Sequence, residues 1–194
     1  MKISIAWLLT AALALLVTGC GTIPPPMQKD PGFRPQQMDK VSVLPVIDAR
    51  VDTAIKLDLD KKVQRLAKND LEDKRYAVEV VTDPRALGGI SGEDLRAGNA
   101  GALAKLGPPD ARWVMVFTLE ELSRRLTFGS SGNAEITMAI VDRQSKRVVW
   151  RDKGVGRAGQ GGLIGMAMIG MMGEAALEEA VRPILRKIPD RERD

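Results

Sequence analysis

The chain contains no histidine among its 194 residues, so the commonest general base and metal ligand is missing. Cys20 is its single thiol. Carboxylates are the remaining candidates for chemistry. Asp48, Asp52, Asp58 and Asp60 cluster along the chain, but they lack the glycine and terminal Glu of a calcium loop. Their spacing suits helix starts and solvated loops. Glu120 and Glu121 are adjacent and would sit at the end of a strand, where neighbouring side chains point to opposite faces. They therefore cannot flank one bond as a glycosidase pair does. Gly154 to Gly159, "GVGRAG", matches the dinucleotide fingerprint GxGxxG. It follows a strand within a meander, lacks a βαβ context, and has no suitable acid about 20 residues on, so it reads as a glycine-rich connector. No catalytic residue, metal site or cofactor is expected.

The surroundings of Cys20 give it a different chemistry. Lys2 precedes an apolar run from Ile3 to Val17, which has the parts of a secretory signal peptide. It is shorter than the roughly 20 apolar residues of a comfortable span. Leu16-Val17-Thr18-Gly19-Cys20-Gly21 resembles the lipobox of bacterial lipoproteins. The resemblance implies that Cys20 is lipidated and becomes the first mature residue, with Thr18 and Gly19 as processing determinants. Gly21 occupies the sorting position, where Asp would imply inner-membrane retention. Gly implies the outer membrane, with a domain facing the periplasm or, less commonly, the surface. Acyl chains contribute about 0.8 kcal/mol per buried CH₂, and more than one makes the anchor stable. The expected organisation is a signal peptide over 1–19, a lipidated Cys and flexible tether over 20–40, and a periplasmic domain over 41–190. The tether, "GTIPPPMQKDPGFRPQQMDK", is proline-dense and aperiodic. At about 3.1 Å per residue it could reach roughly 60 Å.

The remaining residues suffice for one domain with a real core. Positive and negative charges are interleaved, with a formal net charge of +4, and aromatic residues make up only 4%. Neither feature suits a nucleic-acid groove or a stacking platform.

Val41–Ile47 reads as a strand that Pro45 ends early. Leu59, Val63, Leu66, Ala67 and Leu71 recur at helical spacing, with acids at the start and bases at the end. Tyr76–Val81 is a second strand. Ser91 could cap a short helix, and Ala100–Leu106 gives another turn or two. Trp113–Leu119, nearly all apolar, reads as a central strand covered on both faces. Ala134, Ile136, Met138 and Ile140 alternate as a strand with one buried face, and Arg147–Trp150 is its antiparallel partner. Leu177, Ala180, Val181, Ile184, Leu185 and Ile188 trace one face of a last helix, interrupted by Pro183. The expected fold is α/β, with a mixed five-stranded sheet in β-α-β-α-β-β-β-α order and parallel first strands.

"VSVLPVIDARVD", "ARWVMVFTLEEL" and "ITMAIVDRQSKRVVWR" resemble a broad group of envelope lipoproteins and periplasmic domains. That group includes CsgG, LpoB and the N-terminal domain of TolB. The likeness lies in pattern and element order from Val41 to Ile188. It implies a domain that binds or organises other envelope components, with a homo-oligomeric secretion or assembly component resembling CsgG as the alternative. No long inserted hairpin of the pore-forming kind is evident.

Two segments are candidate partner contacts. Leu126 and Phe128 follow Arg124-Arg125 at a hairpin tip, which suits either a solvated loop or a contact. Gly159–Leu177 is uncharged until Glu174 but too short for a span. Gly161 and Gly165 have the spacing that lets helices approach closely. Met166, Met168, Met171 and Met172 do not share one helical stripe, so they divide between core and adaptable contact. The expectation is a loop and first helical turns, with Met168 and Met172 in either role. The partners inferred are the membrane, through the N-terminal lipid, and either an envelope protein or a second copy.

Overall fold

The computed structural model describes residues 26–53, 55 and 58–191. Thr18, Gly19, Cys20 and Gly21 lie outside these. Seven strands form one mixed sheet: β1 (Gln28–Lys29), β2 (Lys40–Val43), β3 (Ile47–Asp48), β4 (Ala77–Val80), β5 (Trp113–Thr127), β6 (Gly129–Asp142) and β7 (Arg147–Gly161). Their spatial order is β1-β7-β6-β5-β2-β4, with β3 pairing β5 separately. The helices are α1 (Leu59–Asp73), α2 (Gly92–Ala97), α3 (Ala100–Leu103), α4 (Gly162–Ala167) and α5 (Ile169–Arg186).

The α/β mixed-sheet architecture agrees with the sequence pattern, and the two extra strands correct the count of five. One arises where Pro45, with no N–H to donate, splits the first expected strand. β2 stops at Val43, and β3 resumes against Thr118 and Leu119 of β5. The other is β1, which pairs antiparallel with Trp150 and Arg151. β2 is parallel to both β4 and β5, whereas β5-β6-β7 is an antiparallel meander.

Helices cover both faces. On one, α1 and α5 bury Val63, Ala67, Leu71, Leu177, Val181 and Ile184 against Val41, Met115, Phe117, Ile136 and Met138. On the other, Leu95, Leu103 and Leu106 pack on Leu44, Val114, Val116, Ala139 and Val141. This second layer corrects the one-sided reading of β6: Ala139 and Val141 are fully buried. Gln64 joins the layers, its amide donating to the carbonyls of Val43 and Val81 at 3.2 and 2.8 Å. Asp58 caps α1, and Ser91 with Asp94 forms the capping box of α2. α5 continues through Pro183.

The segment expected as a tether is largely part of the fold. Phe33, Pro35 and Met38 are buried, and the Phe33 ring lies 5.5 Å from Trp113 and 6.4 Å from Trp150. The Met27 N–H donates to Asp152 at 3.2 Å. The proline density that suggested a linker instead fixes a turn across these two tryptophans.

Candidate functional site

The acidic candidates are all engaged structurally. Asp48 makes paired 2.7 Å bonds with the Arg50 guanidinium. Asp60 accepts the Val46 N–H at 2.5 Å, and Asp58 accepts that of Lys61. Glu120 is the extra residue of a bulge between Leu119 and Glu121. It accepts the Thr137 hydroxyl at 3.1 Å, and Arg96 and Lys153 lie 3.4 and 3.5 Å away. Lys153 also pairs with Glu135. That bond holds the Glu135 carboxyl below the usual range. Asp48, Asp94 and Glu178 are held low in the same way, chiefly by Arg50, Ser91 and Arg182. A general acid working near neutrality needs its carboxyl pushed up. These four are pushed the other way.

The glycine-rich segment does not form the expected connector. Gly154–Gly159 lies inside β7, and two of its glycines let α5 settle directly on the sheet. A Cβ on Gly154 would stand 1.9 Å from the Ala180 carbonyl oxygen, and one on Gly156 would stand 1.9 Å from that of Ala176. Gly132 on β6 meets the Met172 carbonyl in the same way, at 2.4 Å. The glycines therefore mark where helix backbone meets strand backbone. The sequence signal was their period of two, which places Gly154 and Gly156 on one face of a strand.

The candidate contact residues separate. Met172 is buried, which makes it core, while Met168 is half-buried at the junction of α4 and α5. Gly165 is buried too: a Cβ there would lie 1.8 Å from the Gln160 carbonyl oxygen. Gly165 alone thus lets α4 settle against the end of β7, and its spacing from Gly161 plays no part in that approach. Gly161 is exposed, with nothing near an added Cβ. Phe128 and Leu126 are exposed, the former by 82%. They stand at the tip of the β5-β6 hairpin, where Gly129 pairs with Gly161 and α4 begins. The Ser130 hydroxyl donates to the Gly165 carbonyl at 2.5 Å and ties α4 to this tip. Leu163, Ile164 and Met171 are exposed on the helices beside it. The long meander thus ends in an apolar group of Leu126, Phe128, Leu163, Ile164 and Met171. Sequence reading singled out the first two and named Met171 among the methionines that divide between core and contact. Leu163 and Ile164 were legible only as part of an uncharged run.

Among the described residues no helix is long and apolar enough to cross a membrane.

No protein-family model and no curated protein matches the chain. Several solved structures do. The L103M variant of the PelC dodecamer from Paraburkholderia phytofirmans is 14% identical, with a TM-score of 0.49 over 85% of this chain and 96% of that one. Lipoprotein GNA1162 from Neisseria meningitidis is 16% identical, with a TM-score of 0.45 over 72% and 96%. The LpoB C-terminal domain from Salmonella enterica is 13% identical, with a TM-score of 0.37 over 65% and 86%. At these values the likenesses assign no function. A likeness to CsgG or TolB is not shown.

Proposed function

We propose that the chain is a non-catalytic envelope lipoprotein, anchored in the outer membrane through acyl chains on Cys20, whose periplasmic domain binds other envelope components. The anchor is supported by the lone thiol in Leu16-Val17-Thr18-Gly19-Cys20-Gly21. The observation that carries the binding role is the exposed apolar end of the meander. Exposed apolar groups gathered in one place mark interaction sites more often than scattered ones do.

Two measurements test this reading. Cys20→Ser should abolish acylation, seen as lost lipid mass, and release the protein from membranes. Gly21→Asp should shift it toward inner-membrane density. A Cys20→Ser chain that still floats with outer membranes would refute the anchor. Leu163→Ser with Ile164→Ser should leave the folding stability within about 1 kcal/mol of the parent's, because both side chains are exposed. The pair should nonetheless abolish crosslinking to the partner. Sizing the detergent-extracted protein decides whether that partner is another protein or a second copy. Retained crosslinking in the pair variant would refute the contact.

A further inference from the structure

Beside β1 lies a shallow depression of about 200 Å³, lined by Gln28, Arg96, Lys146, Arg147 and Arg151 among others. The carboxylates that meet these cations are few. Asp30 pairs with Arg147 at 2.8 Å, and Glu120 lies 3.4 Å from Arg96. Lys146 has no acidic partner among the described residues. Arg151 directs its guanidinium at the carbonyls of Leu95 and Arg96, and no carboxylate among the described residues forms an ion pair with it. Burial, and then the neighbouring charge of Arg96, push its ionisation down. An anion in the depression would offset the repulsion between Arg151 and Arg96.

The chain also fixes where this depression can be. If Cys20 carries the anchor as proposed above, only residues 20–25 separate the acyl chains from Pro26. Fully extended, six residues span at most about 20 Å. Met27 is held by Asp152, and Gln28 and Lys29 by β7. The end of the tether therefore delivers this basic edge to the bilayer surface.

We infer that the depression formed by Gln28, Arg96, Lys146, Arg147 and Arg151 docks on anionic phospholipid headgroups of the membrane that holds the anchor. The inference rests on the Cys20 reading. An acyl anchor combined with a basic patch binds more firmly than either alone. Attraction of this kind contributes about fivefold in affinity per Lys or Arg near the surface and fades within a Debye length.

The test uses the full mature chain with Cys20→Ser, so that no acyl chain contributes, and vesicles of phosphatidylcholine with and without phosphatidylglycerol. Binding should require phosphatidylglycerol and weaken as salt rises. Lys146→Gln with Arg147→Gln, both exposed, should weaken it by about 25-fold with an unchanged melting temperature. Lys68→Gln with Arg85→Gln removes the same charge elsewhere and should leave binding close to the parent's. Equal binding to both vesicles, or equal losses from the two pairs, would overturn the docking. Acylation of Cys20 is scored separately by mass. An acylated protein whose unlipidated form ignores anionic vesicles loses the docking and keeps the anchor; an unacylated one loses the anchor.

Discussion

Gly154 and Gly156 are in β7 because α5 lies so close that no side chain fits between the two backbones. Gly156→Ala should therefore cost about 1–3 kcal/mol through overpacking. In a domain of this size that lowers the melting temperature by roughly 2–12 °C, measurable by calorimetry. An unchanged melt would mean that the helix can lift away. Tyr76 illustrates a second residue-scale effect. It is buried, and its hydroxyl donates to the Pro189 carbonyl at 2.8 Å. Burial, assisted by Asp190, pushes its ionisation up to about 12. A raised folded value gives stability that is complete below the ordinary value near 10 and is lost as pH rises toward 12. Tyr76→Phe should be less stable than the parent at neutral pH by about 1 kcal/mol. That difference should shrink or reverse between pH 10 and 12, as denaturant titrations would show. Neither the glycine packing nor the buried Tyr was legible as such in the sequence. A period of two marks a face, but only tertiary approach shows that the face must be bare.

At the scale of elements, the apolar strands and the two main helices were readable because their periodicity records burial directly. The outer halves of β5, β6 and β7 were not. Ser123, Arg124, Ser131, Gly132, Asn133 and the glycines of β7 carry little β propensity, yet their registers run unbroken from the bulge at Glu120 to the tip. Ladder pairing and the cover of α4 and α5 hold them, and both are non-local. β1 was missed for a similar reason: two residues in a proline-rich run pair only because Asp152 and the two tryptophans receive them. Asp152 links three elements. It accepts the Met27 N–H at 3.2 Å, and its second oxygen is 2.7 Å from the Lys187 ammonium just after α5. Its side chain is only 3% exposed. Asp152→Ala leaves a largely buried cation without this partner, which should cost about 3 kcal/mol. Hydrogen exchange should quicken at Met27–Asp30 beyond the global loss of stability. Protection at β1 that falls only in step with the rest of the domain would show that Phe33 and Met38 hold the segment unaided.

For the whole molecule, folding of residues 26–40 onto the sheet changes what an anchor at Cys20, as proposed above, could do. With the anchor proposed at Cys20, a tether of about 60 Å would let the domain sample any orientation, whereas six residues would keep one edge within about 20 Å of the lipid. β1 and β4 are opposite ends of the strand order. Five interstrand spacings of about 4.8 Å put them roughly 24 Å apart. The domain should thus present its β1 edge to the membrane and hold its β4 edge away from it. Cys20 is the only cysteine and is acylated on the proposed reading, so a single introduced thiol would report alone. Gln28→Cys, on β1, and Arg85→Cys, on the exposed turn after β4, are suitable positions for an environment-sensitive fluorophore on the lipidated protein. In vesicles carrying a headgroup quencher, the label at position 28 should be quenched strongly and that at position 85 weakly. High salt should reduce the contrast if the basic depression sets the orientation, since the short tether alone permits tilting about its end. Equal quenching at both positions in low salt would mean that the domain tumbles freely on its anchor, and stronger quenching at 85 would mean that the opposite edge faces the bilayer.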